Sequence, residues 1–293
     1  MRTPLGQWLK KVFIGRARDL SDQKLFHKVS LVAVLAWVAL GADGISSSCY
    51  GPEQAFLALG GHAYLSVLVA LMTVFTIVIV CASYSQIIEA FPSGGGGYLV
   101  ASKLLAPTAG VIAGCALLID YVLTIAVSVA SGTDAFFSLL PLSWHAGKLP
   151  FALAGVMALT VLNLRGIKES ILFPLPIFLL FLVMHSFIIG YAFGTHLGGF
   201  EEVAVATAAD IKMSQAQIGV SGMLLLLLRA YSMGAGTYTG IEAVSNGLPL
   251  LREPRVETGK RTMTYMALSL SITVGGLLIA YLLYRVQPQP GKT

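Results

Sequence analysis

Charge is what this sequence has least of. Only 11% of its 293 residues are Asp, Glu, Lys or Arg, while 56% are hydrophobic; a soluble domain carries roughly 25% charged residues to solvate its surface. The shortfall excludes a water-soluble globule and leaves the apolar excess to face lipid. Cysteine is scarce too. Cys49, Cys81 and Cys115 lie in apolar stretches without the spacing of a disulfide framework or a transition-metal site, and read as small buried hydrophobes. There is no phosphate loop, nucleophile triad or metal-ligand cluster, so nothing argues for an enzyme or a cofactor. The first 28 residues hold seven of the 19 Lys and Arg and no apolar core before Val29, which does not fit a cleaved signal peptide. The net charge of +5 sits mostly in this tail and in loops, where it sets orientation and does not imply nucleic acid.

Long apolar runs are what the sequence has instead. Seven segments, approximately 29–60, 63–89, 107–139, 150–164, 171–193, 218–250 and 262–284, predict an all-α, multi-pass protein of the lipid bilayer. The fourth is short, whereas the first, third and sixth exceed the ~20 residues that cross a bilayer and must be broken, tilted or protruding. With the N-terminus cytoplasmic, fourteen of the 19 Lys and Arg fall inside: the tail, Lys103, Arg165, Lys168, Arg252, Arg255, Lys260 and Arg261. Only Lys148, Lys212, Arg285 and Lys292 fall outside, and Arg229 stays within a span. The positive-inside rule therefore selects a cytoplasmic N-terminus in a cell inner (plasma) membrane.

Glycine, 31 residues, is enriched where membrane helices pack closely or break. The first segment is interrupted by Gly41-Ala42-Asp43-Gly44-Ile45-Ser46-Ser47-Ser48, and the sixth by Gly234-Ala235-Gly236-Thr237-Tyr238-Thr239-Gly240. Both runs are poor in helix propensity, so helices 1 and 6 are expected to be broken. Gly51-Pro52-Glu53 follows one and Gly240-Ile241-Glu242 the other. Two breaks in opposite orientation, five helices apart, are the signature of an inverted repeat whose discontinuous helices meet at the midplane around a substrate. The expected division is a basic tail over 1–28, a first five-helix repeat over 29–194, an extracellular loop over 195–217, and two helices of a truncated second repeat over 218–293.

Intramembrane acids are functional candidates by default. Asp43 and Glu242 flank the breaks, and Asp120 lies 13 residues past Pro107, roughly 20 Å into its helix. Asp120, Thr124, Ser128 and Ser131 make one polar stripe at i, i+4, i+8 and i+11. An acid within a break repels a substrate carboxylate, whereas a dehydrated monovalent cation wants carboxylates, hydroxyls and unwound carbonyls. The residues therefore favour a cation over a zwitterionic amino acid. Three acids around one monovalent ion overcharge the site unless one is protonated or paired, which makes Glu242 first and Asp120 second as carrier of a coupling proton. Arg229, five residues before the second break, is expected as a charge partner or gate.

These residues resemble the amino acid–polyamine–organocation (APC) superfamily with its LeuT-type inverted-repeat fold, and within it the KimA-type potassium importers. The resemblance rests on Ala42-Asp43-Gly44 to Tyr50-Gly51-Pro52-Glu53, Phe91-Pro92-Ser93-Gly94-Gly95-Gly96-Gly97-Tyr98, Asp120-Tyr121-Val122-Leu123-Thr124 with Ser128, and Thr239-Gly240-Ile241-Glu242. It implies proton-coupled potassium uptake by alternating access. Asp43, Tyr50, Asp120, Thr124, Ser128 and Thr239 would surround potassium, Glu242 would join the ion or proton network, and Gly41, Gly44, Gly236 and Gly240 would shape the breaks. A homodimer is a further expectation. An amino acid permease of the same superfamily, or a membrane fragment that transports only with further helices or a partner, are the competing readings.

Overall fold

In the computed structural model, which describes residues 30–165 and 171–287, the chain is helical and the only strand-like feature among the described residues is one isolated bridge. The basic tail, Lys168 and Lys292 lie outside the described residues, so the charge count they entered is not addressed by the structure.

The long helices follow the apolar runs. They are α1 (Ala33–Leu59), α2 (Ser66–Ala90), α4 (Pro107–Ser138), α5 (Lys148–Arg165), α6 (Leu175–Thr195), α7 (Gly199–Met233) and α9 (Arg255–Leu283), with the short α3 (Gly96–Val100) and α8 (Ala243–Asn246) between them. Among the described residues, six stretches are long and apolar enough to cross a membrane; α1, 27 residues long, is not among these six, because Asp43 and the serine run lower its hydropathy. Starts are set by local chemistry. Ala106 is extended before Pro107, and the proline opens α4 at a position whose N–H needs no helical partner.

The core sits where α1, α2 and α9 meet. Trp37, Ile77, Ile88, Met263, Met266 and Leu270 pack there with Ile241, Val244 and Leu248 from the α8 region. Trp37 donates to Ser269 Oγ at 3.2 Å and meets Phe178 edge-on, which gives it a packing role. A second cluster joins the far end of α1 and the start of α2 to Met223, Leu227 and Ala230 of α7. The membrane-like window of α4 is only 6% buried and that of α5 is not buried at all. Both present leucine and phenylalanine outward, as lipid-facing helices do.

Three expectations are corrected. The first helix is not broken, since helical backbone runs through 41–48 and includes Pro52. Its hydroxyls turn back into the helix, with Ser46 and Ser47 donating to Asp43 O and Ser48 to Ile45 O. The stretch 195–217 is mostly helix, because a buried stripe of Val203, Thr207, Asp210 and Ser214 gives α7 an inner face from its first turns. Finally, Cys115 is exposed on α4 rather than buried.

Candidate functional site

The second break is real. α7 ends at Met233, a tight 3₁₀ turn covers Ala235–Tyr238, Thr239 is extended, and helix resumes only at Ala243. Gly240 holds φ at 83°, a conformation that side chains with a Cβ rarely adopt. It also lies against α1: a Cβ there would fall 2.9 Å from Asp43 Oδ2 and 3.2 Å from Gly44 N. From the other side, a Cβ on Gly44 would lie 3.1 Å from the Thr239 carbonyl oxygen. Glycine at both positions lets the unwound backbone reach α1. Further along, Gly51 and Gly234 make a second close approach, with Thr237 wedged between the chains. Gly41 instead faces Trp37 and Met266, away from the break.

Asp43, Ser47 and Tyr50 share one face of α1 at i, i+4 and i+7. The fully buried Ser47 is the hub: its hydroxyl donates to Asp43 O at 2.9 Å and shares a 2.6 Å hydrogen bond with the Tyr50 hydroxyl. With the serine proton committed to the carbonyl, Tyr50 is the donor in that bond. Thr239 Oγ1 donates to Gly236 O at 2.7 Å and stands 3.3 Å from Ser47 Oγ. That separation allows a hydrogen bond in which either hydroxyl donates, and each oxygen keeps lone pairs for a further partner. Tyr50 also packs over Gly236, where a Cβ would touch its ring at 3.1 Å.

α4 supplies the opposite wall. Asp120, Thr124 and Ser128 are half-buried on its stripe, whereas Ser131 is exposed. Ser128 and Asp120 lie on the side of α4 that neighbours Tyr50 and Asp43, and the Asp120 carboxyl is near enough to Asp43 and Glu242 for their charges to interact. The three acids share one electrostatic neighbourhood without closing into a chelate: among the described residues, no three His, Cys, Asp or Glu side chains are placed to hold one metal ion. Glu242 Oε1 is buried without a hydrogen-bond partner, as are Asn246 Oδ1 and Thr237 Oγ1. Tyr121 neighbours the Glu242 carboxyl and accepts from Asn246 Nδ2 at 3.0 Å. Arg229 is exposed on α7 and forms no ion pair among the described residues.

Ser47, Asn246 and Tyr121 are the contributors that residue-type reasoning missed. Ser47 carried a signal in its spacing from Asp43 and Tyr50. Asn246 carried one as the residue a helical turn past Glu242.

The amino acid permease family model matches residues 29–289. The chain belongs to that family. This chain is 32% identical over 97% of its length to the potassium transporter KimA of Bacillus subtilis (strain 168). It is 26% identical over 78% of its length to the low-affinity putrescine importer PlaP of Escherichia coli (strain K12). The alignments cover 46% of either relative, so the chain spans about half the length of the curated relatives it matches. The match to KimA agrees with the resemblance carried by the acid and hydroxyl motifs.

Proposed function

We propose that this chain forms the ion-binding part of a secondary transporter that imports potassium with a proton by alternating access. One observation carries the reading: the Ser47, Tyr50 and Thr239 hydroxyls cluster on the side of α1 that carries Asp43, with Ser47 Oγ 2.6 Å from the Tyr50 hydroxyl and 3.3 Å from Thr239 Oγ1, and each oxygen keeps lone pairs for a cation. A space lined with acceptors suits a dehydrated cation and opposes a substrate carboxylate. Asp43, Tyr50 and Thr239 bind the ion from the α1 side, and Asp120, Thr124 and Ser128 bind it from α4. Glu242, with Asp120 as second choice, carries the coupling proton, since the acids are close enough that all three cannot be charged cheaply. The named cargoes of both relatives, potassium and putrescine, are cations. The proposed setting is the plasma membrane with a cytoplasmic N-terminus.

The test is growth of potassium-uptake-deficient cells at limiting potassium, with the full-length protein expressed. Rescue by the wild type, abolished by Asp43→Asn, is the expected result, together with rubidium uptake that stops when the proton gradient is collapsed. Failure to rescue overturns potassium import. Uptake of a labelled amino acid that tolerates Asp43→Asn points to the amino acid reading instead.

A further inference from the structure

At the end of the bundle where α1 turns into α2, the most deeply buried acid outside the ion site has two partners. Asp210 of α7 is 5% exposed. Its Oδ1 is 2.7 Å from Nδ1 of His62, itself 13% exposed, and its Oδ2 accepts from the Tyr64 backbone N–H at 3.1 Å. His62 and Tyr64 belong to the α1–α2 connection. One carboxylate therefore fastens the first part of α7, the outer helix 199–218, to the end of the helix that carries Asp43 and Tyr50.

The outer helix is also uncoupled from the rest of α7. Gly219 has φ 72° and ψ 170°, non-helical backbone between two helical runs. Beyond it, residues 220–233 lead straight into the break at Gly234. The buried face of the outer helix is mostly polar, with Thr207, Asp210 and Ser214 beside Val203 and Ile211. A permanent brace is built as well or better from apolar residues, because a buried ion pair must overcome its desolvation. A polar pair has a different property: each partner is readily hydrated when the contact opens. The exposed Glu202–Arg285 pair, which also ties this helix down, contributes little.

We propose that His62 and Asp210 form a separable latch, and Gly219 its hinge, so that the outer helix opens and closes on the α1–α2 turn during the transport cycle. The device rests on the transporter reading given above. With the latch closed, the outer helix is held to the end of α1, which also packs on Met223, Leu227 and Ala230. With it open, water reaches the α1–α2 turn.

Uptake of rubidium by the full-length protein in proteoliposomes tests this, using the wild type, Asp210→His and Gly219→Ala. In Asp210→His the introduced imidazole and the native His62 form a two-nitrogen clamp for zinc. Zinc is expected to slow uptake by this variant about tenfold, reversibly with a chelator, and to leave the wild type unaffected. Gly219→Ala meets no neighbouring atom within 4 Å but must hold positive φ. It is expected to lower maximal uptake several-fold at unchanged half-saturation. Uptake by Asp210→His that is insensitive to zinc overturns the latch and leaves a static brace. Should that variant not fold, normal uptake by Gly219→Ala overturns it. Absence of uptake by the wild type strikes the transport reading instead, so the two failures are distinguishable.

Discussion

α1 and the segment joining α7 to α8 draw on the same materials, glycines and hydroxyls beside an acid, yet α1 is helical from Ala33 to Leu59 whereas 234–242 is unwound. In α1 the glycines at 41, 44 and 51 all keep negative φ, and the serines return their protons to carbonyls of the same helix. In the second segment Gly240 takes positive φ, and its neighbour Thr239 is extended. The difference teaches that hydroxyls and small residues permit a break, while a residue committed to the left-handed region makes one. The straight helix then serves as the rail on which the unwound strand rests.

The sharpest way to break this contrast is Gly240→Ala. Positive φ at a residue with a Cβ costs about 1–3 kcal/mol, and the new methyl would press on Asp43 Oδ2 and Cβ. We expect uptake to fall about 100-fold or more, the larger figure of that strain range when it bears on the ion-binding geometry. The matched substitution Gly44→Ala keeps its ordinary φ and is tight only against the Thr239 carbonyl at 3.1 Å, with Leu270 at ordinary contact distance, so its loss should be clearly smaller. Equal losses would dissolve the distinction between rail and strand.

Gly51→Ala probes the other close approach. Its Cβ would lie 2.1 Å from Thr237 Oγ1 and 3.1 Å from the Gly234 carbonyl. The threonine side chain is able to rotate but the carbonyl is not, so the chains must separate by a few tenths of an ångström. Overpacking of this kind costs about 1–3 kcal/mol. A lower melting temperature of the purified full-length protein is expected, and the double variant with Thr237→Ala, which removes the clashing hydroxyl, should not recover it if the carbonyl is the limiting contact.

The spans and the second break were legible in the sequence because each rests on a local property: continuous apolar length in the one case, and three glycines within seven residues in the other. The first break was not there to be read. Propensity treats Ser46, Ser47 and Ser48 as weakening a helix, and only the structure reveals that their hydroxyls bond back to it. The outer helix was hidden for the opposite reason. Its buried stripe is polar, so Glu201, Glu202 and Asp210 read as a solvated loop although Val203, Thr207, Asp210 and Ser214 recur with helical spacing. Of the candidate site, the acids and Tyr50 were legible by type, whereas Ser47 was lost among its neighbours because three consecutive serines look alike until one of them faces Thr239.

Ser47→Ala is the mildest and most selective test. The substitution removes hydrogen bonds to Asp43 O and to the Tyr50 hydroxyl, each worth about 0.5–1.5 kcal/mol net. Alanine also raises helix propensity by up to ~0.7 kcal/mol, which offsets part of that loss. Melting temperature should therefore shift little. Uptake should fall several-fold through weaker ion binding, because Tyr50 loses the oxygen that accepts its proton and the ion loses one acceptor beside Thr239. Ser46→Ala, which removes only a back-bond to Asp43 O on the exposed side, should leave uptake unchanged. A Ser47 variant that melts early and binds rubidium normally would make the hydroxyl a helix brace, and the lone-pair argument for a cation site would lose its centre.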